Sequence, residues 1–163
     1  MRTRKLAISA LLAAVALTIF VLEAQIPLPL PIPGAKPGLS NIVTIFALFI
    51  LGPKYALAIV VLRIVLGNIF AGQMMALFFS LAGGLLSFCA MALVARFLPP
   101  KQVWVAGVIG GIAHNIGQMA VALALTQTAQ LLLYAPLLLL CGIIAGIFTG
   151  LCAQLLLLRR RKL

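Results

Sequence analysis

The sequence predicts an all-α integral membrane bundle of about six transmembrane helices, and two features of its composition carry that expectation. Hydrophobic residues make up 65% of the 163 positions and charged residues only 8%. A water-soluble domain needs roughly a quarter of its residues charged to clothe its surface. The charges also cluster at the two ends and in short breaks, so the long surfaces between them must face lipid.

The first apolar run follows Met1–Lys5 and covers 6–23. It is longer than the roughly 7–15 residues of a signal-peptide core, and Leu22 makes a poor cleavage position before Ala24, so an uncleaved first span is expected. Residues 24–37, AQIPLPLPIPGAKP, hold five prolines. Proline lacks the backbone donor and clashes with the preceding turn, which predicts an extended connection. Five more apolar segments follow at 38–51, 54–70, 74–95, 104–125 and 135–158, making one transmembrane domain over 1–163. Gly52-Pro53-Lys54, Gly67-Asn68 with Gly72-Gln73, the stretch 97–102 with its two prolines, and the polar gap 126–130 separate them.

A crossing helix needs about 20 residues at 1.5 Å each. Segments 38–51 and 54–70 fall short of that. They are expected either in a thinned region or shielded by neighbours where they line a cavity.

Charge sets the orientation. With the amino terminus inside, the cytoplasmic segments carry Arg2, Arg4, Lys5, Lys54, Arg96, Lys101, Arg159, Arg160, Arg161 and Lys162, whereas the outer loops carry Lys36 alone. That is the asymmetry of a cytoplasmic-membrane protein with both termini in the cytoplasm. Accessibility labelling should find Arg2–Lys5 and Arg159–Lys162 on the same side. Labelling on opposite sides would overturn the six-span count. The same placement explains the net charge of +11 without a nucleic-acid partner, since no basic face with polar or aromatic companions exists.

Arg63 is the charge left inside a span. A central arginine costs about 2.5–3.5 kcal/mol on insertion scales, so it should face a cavity or a partner. The readings are an anion-binding charge, a structural partner of Glu23, the only acidic residue, or a side chain snorkelling to the outer surface from the helix end. GVIGGIAHNIGQ, 107–118, is the most polar run within a span. His114 and Gln118 share a helix face four residues apart, beside a ridge of Gly107, Gly111 and Asn115. Ligand lining by His114, Asn115 and Gln118, plain helix packing, and proton relay by His114 are the alternatives. Near the outer surface lie Lys36, Asn41, Asn68 and Gln73, together with the start of the second helix, whose free N–H groups favour an anion. The candidate ligand-binding set is therefore Lys36, Asn41, Arg63, Asn68, His114, Asn115 and Gln118.

Gly142, Gly146 and Gly150 form a GxxxGxxxG ridge, and Ala10 and Ala14 a small-residue step; both are packing faces, internal or for a partner. Cys89, Cys141 and Cys152 lie in apolar stretches and read as packing residues. No phosphate-cradling GxxxxGK[ST] loop is present, so ATP hydrolysis by that route is excluded. With no aspartate and one glutamate there is no Ser-His-Asp set and no carboxylate cluster to hold Mg²⁺ against a diphosphate. The chain reads as a non-enzyme without metal or cofactor.

PIPGAKPGLSNIVT (31–44), the run 62–72, FSLAGGLLS (79–87), GGIAHNIGQ (110–118) and CGIIAGIFTG (141–150) together resemble the Gx transporter family, whose members are also labelled heptaprenyl diphosphate synthase component I. The resemblance spans nearly the whole chain. It implies a six-helix fold similar to the substrate-binding S components of energy-coupling factor transporters. It further implies a membrane coupling subunit docked on Ala10 and Ala14, separate ATPase subunits, and an anionic or amphipathic ligand of isoprenoid or quinone type. The alternative it implies is a non-catalytic membrane subunit of heptaprenyl diphosphate synthesis.

Overall fold

A computed structural model describes residues 2–26 and 37–160. Six α-helices account for almost all of them: α1 (Arg2–Glu23), α2 (Asn41–Leu51), α3 (Pro53–Phe70), α4 (Ala76–Val94), α5 (Val103–Thr126) and α6 (Ala135–Arg160). Short 3₁₀ turns at Pro100–Gln102 and Ala129–Tyr134 precede α5 and α6. Each expected apolar segment thus contains one helix. Pro53 enters α3 at its first turn, where its missing N–H costs nothing. Gln127, in the left-handed region at φ +52°, closes α5 by donating its N–H to the Leu123 carbonyl at 3.0 Å.

The boundaries depart from the sequence expectation at α1, which begins at Arg2 and not at 6, and at α2, which begins at Asn41 and not at 38. Gly38 holds φ +81°, a left-handed conformation that glycine adopts without steric cost, and residues 38–41 form a tight turn instead. The proline-rich connection expected at 24–37 lies mostly outside the described residues, as does Lys36.

Eleven residues give α2 a length of about 16 Å, half a hydrocarbon core. It survives by being central. α2 packs against all five other helices, and seven of its residues, Asn41, Val43, Thr44, Ile45, Ala47, Leu48 and Leu51, are buried. Of the two expectations for a short span, shielding by neighbours is the one observed. Around it, α1 lies on α3 and α4 on α5. Phe20 of α1 fits onto Gly67 of α3, where an added Cβ would stand 2.3 Å from the ring.

α5 and α6 make the most extensive contact of the bundle. Their glycine ridges meet each other, which answers whether those ridges are internal or serve a partner. They run antiparallel: Gly107 lies opposite Gly146, Gly111 opposite Gly142, and Gly150 opposite Trp104. A Cβ on Gly107 would approach the Gly146 carbonyl oxygen to 2.3 Å, and one on Gly111 the Gly142 oxygen to 2.2 Å. Backbone meets backbone here, the close approach that small residues permit in lipid. Asn115 continues the ridge and donates its side-chain N–H to the Leu138 carbonyl.

Between the polar helix ends the outward surface is largely apolar. Phe97 is 80% exposed and Leu133 81%, with Leu11, Phe70 and Met75 close behind. Water would not tolerate so much contiguous apolar surface; a bilayer supplies its natural solvent. Among the described residues, five helices are long and apolar enough to cross a membrane, and α2 is the sixth, shorter one. The molecule is an all-α membrane bundle.

Candidate functional site

Five helices deliver polar side chains to one buried point. Glu23 ends α1. Its Oε1 accepts N–H bonds from Gly38, at short range, and from Leu39 at 3.0 Å. Its Oε2 lies 3.5 Å from both the amide and the hydroxyl of Ser40. These are the donors that precede α2 and have no intrahelical acceptor. The N-terminus expected to attract an external anion is therefore already facing one, the chain's own carboxylate.

Arg63 approaches from α3. One terminal nitrogen donates to the Ser40 hydroxyl and the other to Asn41 Oδ1 at 2.7 Å. Asn41 in turn donates to the Ser87 hydroxyl of α4 at 3.4 Å. Ser40 stands between the two charges, accepting from the guanidinium and facing the carboxylate. Glu23, Ser40, Asn41, Arg63 and Ser87 are all buried. Burying one charge in an apolar bundle is costly, and two of opposite sign linked through hydrogen bonds largely offset that cost. Arg63 thus reaches Glu23 through Ser40 and is built into the head of α2.

α5 closes the site with His114. A Cβ on Gly38 would lie 3.1 Å from Asn41 Nδ2 and 3.4 Å from His114 Cδ2, so a larger residue in that turn would press on both. Phe20, Glu23, Gly38, Ser40, Arg63, Ile64, Ser80 and His114 line a cavity of about 10 Å³, room for a single water. Several polar atoms at this centre have no hydrogen-bond partner among the described residues: Arg63 Nε, the Ser80 hydroxyl, and both ends of the Gln118 amide. Gln118 is 1% exposed and, with His114, packs over Gly83 of α4. Buried polar groups are normally satisfied by the chain or by water, so this cluster of exceptions singles the centre out as the candidate site.

The candidate residues divide accordingly. Asn41, Arg63 and His114 come together around Gly38, and Gln118 adjoins them one turn along α5. Asn68 does not join them: it is fully buried and donates to the Ile64 carbonyl of its own helix at 2.7 Å. Asn115 points to the opposite side of α5. There, with Ile116, Met119, Ala120, Leu123, Leu132, Ala135, Leu138 and Leu139, it lines an apolar groove of about 260 Å³ between α5 and α6. Lys36 lies outside the described residues. Sequence reasoning missed Ser40 and Ser80 as members of the site. It treated Glu23 only as a partner for arginine, although a lone acid bordering an apolar span was a signal in itself. The one carboxylate is engaged by backbone amides, so these residues offer no acidic ligand set to a divalent cation.

No curated protein and no solved structure matches the chain. The family model described as heptaprenyl diphosphate synthase component I matches residues 12–156, nearly the full length and at least part of every helix. The chain belongs to the heptaprenyl diphosphate synthase component I family.

Proposed function

We propose that this chain is a membrane-embedded, non-catalytic protein that binds a small anionic or amphipathic molecule, in the manner of the substrate-binding S component of an energy-coupling factor transporter. The observation that carries the reading is the buried polar centre, in which a cationic side chain and the head of a half-length helix converge with unpartnered donors. Membrane transporters use the positive ends of interrupted helices to hold anionic groups of their substrates. A bundle needing only structural rigidity gains nothing from a buried arginine. With one acidic residue in the chain, the chemistry of diphosphate activation would fall to another protein.

Ala10 and Ala14 lie exposed along one face of α1, open to the coupling subunit that an uptake role requires. The cytoplasmic membrane is its location, with both termini in the cytoplasm, and ATP hydrolysis belongs to separate subunits.

A second reading, membrane subunit of heptaprenyl diphosphate synthesis, is favoured by the family description and by the apolar groove between α5 and α6, whose size and lining suit a length of prenyl chain. Both readings predict a retained ligand. Native mass spectrometry of the detergent-purified chain should release a small molecule bearing an acidic group; a chain that emerges bare under mild activation argues against any binding role. Co-purification separates the two. An ATPase and coupling pair supports uptake, and a soluble acid-rich synthase supports the prenyl role.

A further inference from the structure

The polar centre holds more hydrogen-bond donors than its own acceptors use. Glu23 Oε1 takes the amides of Gly38, at short range, and of Leu39 at 3.0 Å, but Oε2 reaches the amide and hydroxyl of Ser40 only at 3.5 Å, the outer limit of a hydrogen bond. Arg63 Nε and the Ser80 hydroxyl, both bordering the same cavity, have no partner among the described residues. A carboxylate brings two oxygens on a short tether and leaves much of this donor set unmatched. A phosphate group brings three or more, spread in three dimensions, to helix-head amides of the kind that hold phosphates elsewhere and to a guanidinium whose terminal nitrogens bond Ser40 and Asn41 while its Nε stays open.

We propose that the Glu23 carboxylate is a tethered occupant of a phosphate site, and that a phosphate- or diphosphate-bearing ligand binds by displacing it. The exchange keeps charge balanced: Arg63 trades one anion for another, and Glu23, at the last residue of α1, swings away from the head of α2. The site rests on the reading of the polar centre given above; what is added is that the chain competes with its own ligand.

Because Glu23 is the only acidic residue, the competition can be watched in the unaltered protein. Selective ¹³C labelling of glutamate yields one side-chain carboxylate resonance, and titration with inorganic pyrophosphate should move it saturably to the position of a solvated carboxylate. Isothermal titration with the same probe should show Glu23→Gln binding about tenfold tighter than the unaltered chain and Arg63→Gln at least tenfold weaker. If Arg63→Gln weakens binding while Glu23→Gln leaves it unchanged and the resonance stays put, the ligand site stands and the displacement is wrong. If pyrophosphate does not bind, or Arg63→Gln binds it as the unaltered chain does, the site itself is wrong. Farnesyl diphosphate in parallel identifies the source of the phosphate: tighter binding than pyrophosphate assigns a lipid-borne headgroup, and equal binding a free anion, with Glu23 displaced in either case.

Discussion

Gly111→Ala, a single added methyl group, is expected to lower the thermal midpoint of the detergent-solubilised protein by about 6–12 °C. The methyl carbon would stand 2.2 Å from the Gly142 carbonyl oxygen, and that atom is backbone, with no rotamer through which to withdraw. α5 and α6 must then separate along the whole ridge, because Gly107 against Gly146 and Asn115 against Leu138 depend on the same spacing. Overpacking typically costs 1–3 kcal/mol, and a backbone obstruction belongs at the top of that range, about 3 kcal/mol. Ile144→Ala serves as the control on α6, since Ile144 is 60% exposed and truncating it should change stability by less than about 0.5 kcal/mol. Circular dichroism melts of both variants provide the check; a Gly111→Ala protein melting with the unaltered chain would mean that the ridges do not touch.

Arg63→Met is expected to destabilise the bundle by about 3 kcal/mol. Methionine fills a similar volume, so the loss comes from charge: Glu23 stays buried with its cation gone, and Ser40 and Asn41 each lose a donor. Removal of one member of a directly paired buried couple costs about 3–5 kcal/mol. Ser40 stands between this pair, which favours the lower figure. Adding Glu23→Gln to the same chain should restore part of the loss, with a coupling energy of about 1–2 kcal/mol in a double-mutant cycle. Additive losses would show that the two charges do not sense each other.

These two sites also illustrate what a sequence discloses. The six helices were legible because lipid imposes long apolar runs, and Gly-Pro breaks such as Gly52-Pro53 announce their ends. The glycine spacing on α5 and α6 was legible too, but a ridge looks the same whether it meets a neighbour within the chain or another protein. Only the three-dimensional arrangement reveals that Gly111 faces Gly142. For the polar centre, the sequence suggested Asn41, Arg63 and the head of α2 as one locality. It did not disclose that Glu23 caps that head, because the bond joins residues 15 apart across a connection whose course no local propensity dictates. Asn68 and Asn115 looked equivalent to their neighbours in polarity. Helix rotation decided otherwise, turning one onto the Ile64 carbonyl of its own helix and the other toward α6.

The interlocked backbones of α5 and α6 have a mechanical corollary. Helices in such contact cannot slide past each other without first climbing apart, and α4 is pressed onto α5 in turn. Any relative motion of helices in this bundle is therefore expected in α1, α2 and α3, the half in which side chains rather than main chains form the joints, as where Phe20 rests on Gly67.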